Sequence, residues 1–143
     1  MVILMTRWNQ DSQGNELFTA TTPAKVELVT TIQVTPVSAT ITNGTNLSAS
    51  IDLAGKALVG IYMSAAWTAA SMTFQGSLDG VTFFDIYDST GSERLVQPVA
   101  GKHMALSAAD WIGVRYIKLR SGTSATPVAQ GADRVLTLVT RAV

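Results

Sequence analysis

The sequence predicts an all-β fold: an antiparallel β-sandwich or jelly roll of about nine short strands, with an extended N-terminal arm. Three observations carry this. Apolar and β-branched residues alternate with polar ones over short runs, as in residues 26–34 and 72–77. Turn chemistry recurs at Asn43-Gly44, Gly55-Lys56, Asp79-Gly80 and Asp88-Ser89-Thr90-Gly91. No amphipathic helix of useful length is visible anywhere.

Residues 1–25 read as the arm. The stretch 6–15 is polar and lacks either period, and Thr19-Ala20-Thr21-Thr22-Pro23-Ala24 is a small-residue linker. Its apolar anchors include Trp8, Leu17 and Phe18, which are the candidate assembly contacts. Residues 26–143 read as the sandwich domain. Val26, Leu28, Thr30, Ile32 and Val34 alternate in a first strand that Pro36 is expected to end. A second β-prone run, 37–42, closes at Asn43-Gly44, the strongest short hairpin signal because both residues tolerate positive φ. Leu47, Ala49, Ile51 and Leu53 alternate next.

Residues 57–63 form an apolar run fit for burial on both faces. Residues 64–70, with Trp67, read as a loop or a single helical turn. Strand 72–77 then turns at Asp79-Gly80 and returns over 81–87. Runs 95–99 and 102–106 flank Ala100-Gly101. Residues 107–111 resemble a brief helical turn with Ser107 as cap. Residues 114–120 and 134–140 are the last two strands, joined by the loop 122–131.

At 143 residues the chain is one domain long. A 47% hydrophobic content supports a real core. Charged residues make up only 14%, against roughly 25% in typical soluble domains. Such a low-charge surface suits a chain covered by neighbours, and a homo-oligomer is expected. Ten basic and ten acidic residues give zero net charge, so no electrostatic footprint for nucleic acid exists. There are no cysteines, which removes disulfides and thiolate metal sites. Residues 1–5 are apolar but Arg7 follows, too short a stretch for a signal peptide or membrane span. A protein made in the cytoplasm and without membrane partners is expected.

Two pieces of the core resemble the discoidin-like, galactose-binding-type jelly roll. Ser77-Leu78-Asp79-Gly80-Val81-Thr82-Phe83 resembles its Ser-x-Asp-Gly-x-x-Phe/Trp hairpin, and Gly113-Val114-Arg115-Tyr116-Ile117-Lys118-Leu119 resembles its Ala-Arg-Tyr-Val-Arg-Leu strand. In that resemblance the aromatic after the turn packs under the sheet. Residues 51–141 are also similar to small proteins of tailed-bacteriophage and prophage structural gene clusters. The marks are Asp52-Leu53-Ala54-Gly55-Lys56, Ala66-Trp67-Thr68-Ala69-Ala70, the Asp79-Gly80-Val81-Thr82-Phe83 hairpin and Val114-Arg115-Tyr116. This likeness implies a virion component such as a head decoration, spike-base, neck or tail protein, with capsid, neck or tail proteins as partners.

Little in the sequence points to catalysis, and a non-enzymatic protein is expected. His103 is the only histidine. A triad through it would need a serine such as Ser107 and Asp110 or Asp85 in hydrogen-bonded order, and no Gly-x-Ser-x-Gly elbow is present. Asp79, Asp85 and Asp88 cluster at one hairpin, but Asp85 and Asp88 have opposite strand parity. Jelly-roll loops can hold a structural Ca²⁺, yet no Asp-x-Asp-x-Asp-Gly loop supports one, and no cofactor is expected. Trp67 and Trp111 sit among small residues at loop positions. They either plug the ends of the sandwich or stack on sugar rings. The second possibility defines the alternative function, a carbohydrate-binding module for a cell-surface glycan.

Overall fold

A computed structural model describes residues 33–143. The arm, the candidate contacts Trp8, Leu17 and Phe18, and most of the run 26–34 lie outside the described residues. The described chain is an antiparallel β-sandwich, as the alternation and turns predict. Its strands are β1 (Val34–Ile41), β2 (Ile51–Asp52), β3 (Ala57–Tyr62), β4 (Met72–Ser77), β5 (Phe84–Asp85), β6 (His103–Ala105), β7 (Tyr116–Ser121) and β8 (Arg134–Arg141).

Two four-stranded sheets face each other, ordered β1-β8-β3-β6 and β2-β7-β4-β5. Consecutive strands alternate between the sheets, except that β4 and β5 form a hairpin within one. The inward side chains explain the layering. Ala39, Ile41, Leu58, Ile61, Leu136 and Leu138 come from the first sheet. Ile51, Met72, Phe74, Ile117 and Leu119 come from the second. In β7, buried Ile117 and Leu119 alternate with half-exposed Tyr116 and Lys118, the period-2 pattern of a one-face-buried strand.

Several expectations need correction. Pro36 does not end a strand: β1 runs through it, pairing Pro36 with Val139. Among the described residues β1 lies at a sheet edge, where a missing N–H is tolerated. Asn43-Gly44 does turn the chain, with Gly44 at φ +76°. It makes no hairpin, because β1 pairs with β8 and the chain crosses to the other sheet. Of the run 47–53 only Ile51 and Asp52 form a strand, plus a bridge from Leu47 to Arg120. The run 95–99 contributes only a bridge from Val96 to Met72. The short helical turn exists as a 3-10 turn at Ala108–Asp110, but the Ser107 side chain makes no capping hydrogen bond.

One buried polar residue ties the loops together. Gln130 is fully buried, and its side-chain amide is satisfied on every side. Its Oε1 accepts from Thr68 N at 2.9 Å and Arg134 Nε at 3.2 Å. Its Nε2 donates to Ser121 Oγ at 2.7 Å and Thr68 O at 3.3 Å. Its backbone bonds Gly44 and Thr45. A buried amide with all partners present costs little and fixes the loops that carry them.

Candidate functional site

The sequence-predicted stacking residues are both core residues. Trp111 is 1% exposed and Trp67 is 7% exposed. Trp111 packs edge-on against Phe74 with ring centroids 4.7 Å apart, and Trp67 Nε1 donates to Ala70 O. A sugar ring needs an open indole face, and neither residue offers one. Both indoles belong to the hydrophobic core.

The groups weighed for catalysis do not converge. His103 stacks on Tyr62 with centroids 4.3 Å apart, Asp110 pairs with Arg94, and Asp85 pairs with Arg120 at 2.5 Å. Asp88 closes its own turn, accepting from Thr90 N, Thr90 Oγ1 and Ser92 N, which holds its carboxyl below the ordinary value. Among the described residues no three His, Asp or Glu side chains gather so as to hold a metal ion.

What the structure does bring together is an apolar groove at the β4–β5 hairpin. The turn is built by Asp79. Its Oδ1 accepts from Thr82 N, Val81 N and Ser77 Oγ, each at 2.8 Å. These bonds favour the ionised form and hold the carboxyl down to about 2. Ser77 Oγ in turn accepts from Gly80 N at 2.9 Å. Gly80 sits at φ +75°, against the Tyr116 ring. The polar atoms of the turn are therefore engaged with one another.

The apolar side chains of the same hairpin stand in solvent. Leu78 is 82% exposed, Val81 83% and Phe84 70%. Beside them Gly76, Gly113 and Val114 complete a groove of about 460 Å³. Ile112 is exposed on the neighbouring loop. The aromatics after the turn do not pack under the sheet, contrary to the resemblance. Phe83 lies on the outer face of the second sheet under Lys118 Nζ, 4.1 Å from its ring centroid, and Phe84 faces water. The sequence marked the turn correctly but gave no sign of which side its aromatics would take.

That outer face is otherwise charged. Arg115 makes a two-pronged pair with Asp52 at 2.8 and 3.0 Å, which holds the Asp52 carboxyl below its ordinary value. Arg120 is clamped by Asp85 and by Glu93 at 3.1 Å. Burial pushes the Asp85 carboxyl up, but hydrogen bonds from Arg120 and Gln75 outweigh it and leave it below the ordinary value. Glu93 also accepts from Ser124 N at 3.0 Å, so this one cluster pins the segment around residues 85–94 onto the sheet. Arg120 shares the strand parity of half-exposed Lys118 in β7 yet is itself buried, which alternation alone does not reveal.

Compared with protein-family models, curated proteins and solved structures, the chain matches none.

Proposed function

We propose that this chain is a non-enzymatic structural component of a phage or phage-like virion, a head decoration, spike-base or neck protein. Its body docks through the β4–β5 hairpin onto an apolar surface of a neighbouring virion protein. The observation that carries the docking reading is the exposure of Leu78, Val81 and Phe84 on a turn held by four hydrogen bonds. Leu78 and Phe84 line one groove, and exposed apolar side chains gathered on a fixed backbone mark an interaction site. The assignment to a virion rests on the resemblance of residues 51–141, and the low charge of the chain supports a surface made to be covered.

The groove's chemistry selects the kind of occupant. Ser77 and Asp79 are engaged with each other and with the turn's own amides, so the lining offers few polar groups to a ligand. A sugar would bring hydroxyls that find few partners there, whereas an apolar ridge of a protein fits. Trp8, Leu17 and Phe18 join this reading as further contact candidates from outside the described residues.

The test is the composition of particles purified from the phage or prophage that encodes the chain. Quantitative mass spectrometry should find the chain at a fixed ratio to the major capsid protein. Leu78→Asp combined with Phe84→Asp, introduced into the same gene, should lower that ratio at least tenfold while the purified variant keeps its circular dichroism spectrum. Absence of the wild-type chain from purified particles would sink the virion reading. Undiminished incorporation of the variant would sink the hairpin as the docking element.

A further inference from the structure

The sequence holds four asparagines, and only Asn43 is followed by glycine. That pair sits at the centre of a turn closed by Thr45 N, which donates to Thr42 O at 3.0 Å. Gly44 takes φ +76° there, and a Cβ at Gly44 would meet nothing within 4 Å. Asn43 itself is exposed. An asparagine before glycine is open to attack by its own backbone. The glycine nitrogen has no side chain beside it to obstruct its approach to the asparagine Cγ.

The fold withholds that nitrogen. Gly44 N donates to the backbone O of Gln130 at 2.8 Å, and Gln130 N donates to Thr45 O at 2.9 Å. Gln130 is fully buried, and Thr68, Ser121 and Arg134 hold its side chain. The preceding amide is held as well: Asn43 N donates to Asp133 Oδ1 at 2.7 Å. The two amides that flank the Asn43 side chain are therefore both fixed. An N–H aligned on a carbonyl keeps its proton there and is not free to turn to another target.

We propose that Asn43 is a site of spontaneous deamidation, gated by the contact of Gly44 with Gln130. The reaction starts when the turn opens locally and the bond from Gly44 N to Gln130 O breaks. Gly44 N then gives its proton to a base in solution and bonds to Asn43 Cγ. The Cγ–Nδ2 bond breaks, and Nδ2 leaves as ammonia with a proton taken from water. Water next adds to either carbonyl of the cyclic imide and cleaves its bond to nitrogen. Cleavage at Cγ leaves aspartate, and cleavage at the main-chain carbonyl leaves isoaspartate. Either product places a new carboxylate near Asp133, and like charges repel. Isoaspartate also inserts a carbon into the main chain ahead of Gly44 N, so the turn no longer matches both of its anchors. The product therefore keeps the loop open. This proposal stands apart from the virion reading and from the hairpin groove.

Incubation of the full chain in warm, mildly alkaline buffer, folded and in urea, tests it, with peptide mass spectrometry following residue 43 over time. In urea Asn43 should show the mass change of an amide becoming an acid. The folded wild type should react at least about tenfold more slowly. Gln130→Ala should speed the folded reaction at least about threefold, as should Asp133→Ala at an exposed position where the fold is expected to survive. Hydrogen exchange of the Gly44 amide should quicken by the same factor in each variant, because both processes need the same bond opened. Asp52→Ala, in a different turn, should change neither rate. An unfolded chain that stays unmodified at residue 43 overturns the site. A folded chain that reacts as fast as the unfolded one overturns the gate. A variant whose Gly44 amide exchanges faster while residue 43 reacts no faster overturns it equally, as does Asp133→Ala with both rates unchanged.

Discussion

At the scale of single residues, Asp79 does the most with the least burial. One carboxylate oxygen gathers Thr82 N, Val81 N and Ser77 Oγ and so shapes the whole turn. Its folded value, about 2, lies below the ordinary 3.8. The sign follows from linkage. A depressed carboxyl stabilises the fold above its unfolded value and loses that contribution as the pH falls through its folded value. Wild type should therefore melt above Asp79→Asn at neutral pH. The gap should close between about pH 4 and about pH 2. Thermal melts at stepped pH check this, and a gap that persists unchanged at pH 2 would count against the role given to Asp79. The Asp-Gly pair made this turn legible in the sequence. Gln130 was not legible, because a lone polar residue in a loop carries no pattern that announces burial.

Arg120 shows what happens at the scale of elements. Its guanidinium holds Asp85 on β5 and Glu93 beyond it, so a strand of two residues and a loop stay on the sheet. The backbone adds only a few bonds there, such as Arg94 N to Ile86 O. Arg120→Met should cost about 3 kcal/mol in urea unfolding, because it leaves two partly buried carboxylates without their partner. Hydrogen exchange should reveal the amides of Arg94 and Ser124 as the first to lose protection. A cost under about 1 kcal/mol would mean the pair behaves as an exposed surface bridge. The elements read best from sequence were β3, β4, β7 and β8, whose buried residues come from runs of apolar and β-branched side chains. Those read worst were the runs 47–53 and 95–99, whose side chains alternate but whose backbones find few partners. Alternation reports which face a residue would choose and says nothing about whether a neighbouring strand is there to pair.

For the whole molecule, partner choice is what the sequence concealed. The first and last strands of the described chain, β1 and β8, are neighbours over eight residue pairs, and all but one of the strand-to-strand connections cross the sandwich. Nearly every ladder therefore joins residues far apart in sequence. Refolding of the full chain should be slow for its size, in the millisecond-to-second range, and should follow a single exponential. Stopped-flow tryptophan fluorescence reads it through the buried Trp67 and Trp111. Completion within microseconds would contradict the topology. The candidate site was half legible: its turn followed from Asp79-Gly80, but the exposure of Leu78, Val81 and Phe84 depends on the sheet against which the hairpin does not fold.

The pairing of Val34 with Arg141 also fixes how the body responds to tension. These two positions lie side by side at one end of an antiparallel ladder, about 5 Å apart. A pull that separates them loads the ladder one rung at a time, like a zipper, and never shears all the rungs together. Force entering through the ends of the body peels β1 away at low load. Force entering broadside through either sheet meets the close-packed core instead. Such a body is a poor tether and a good tile.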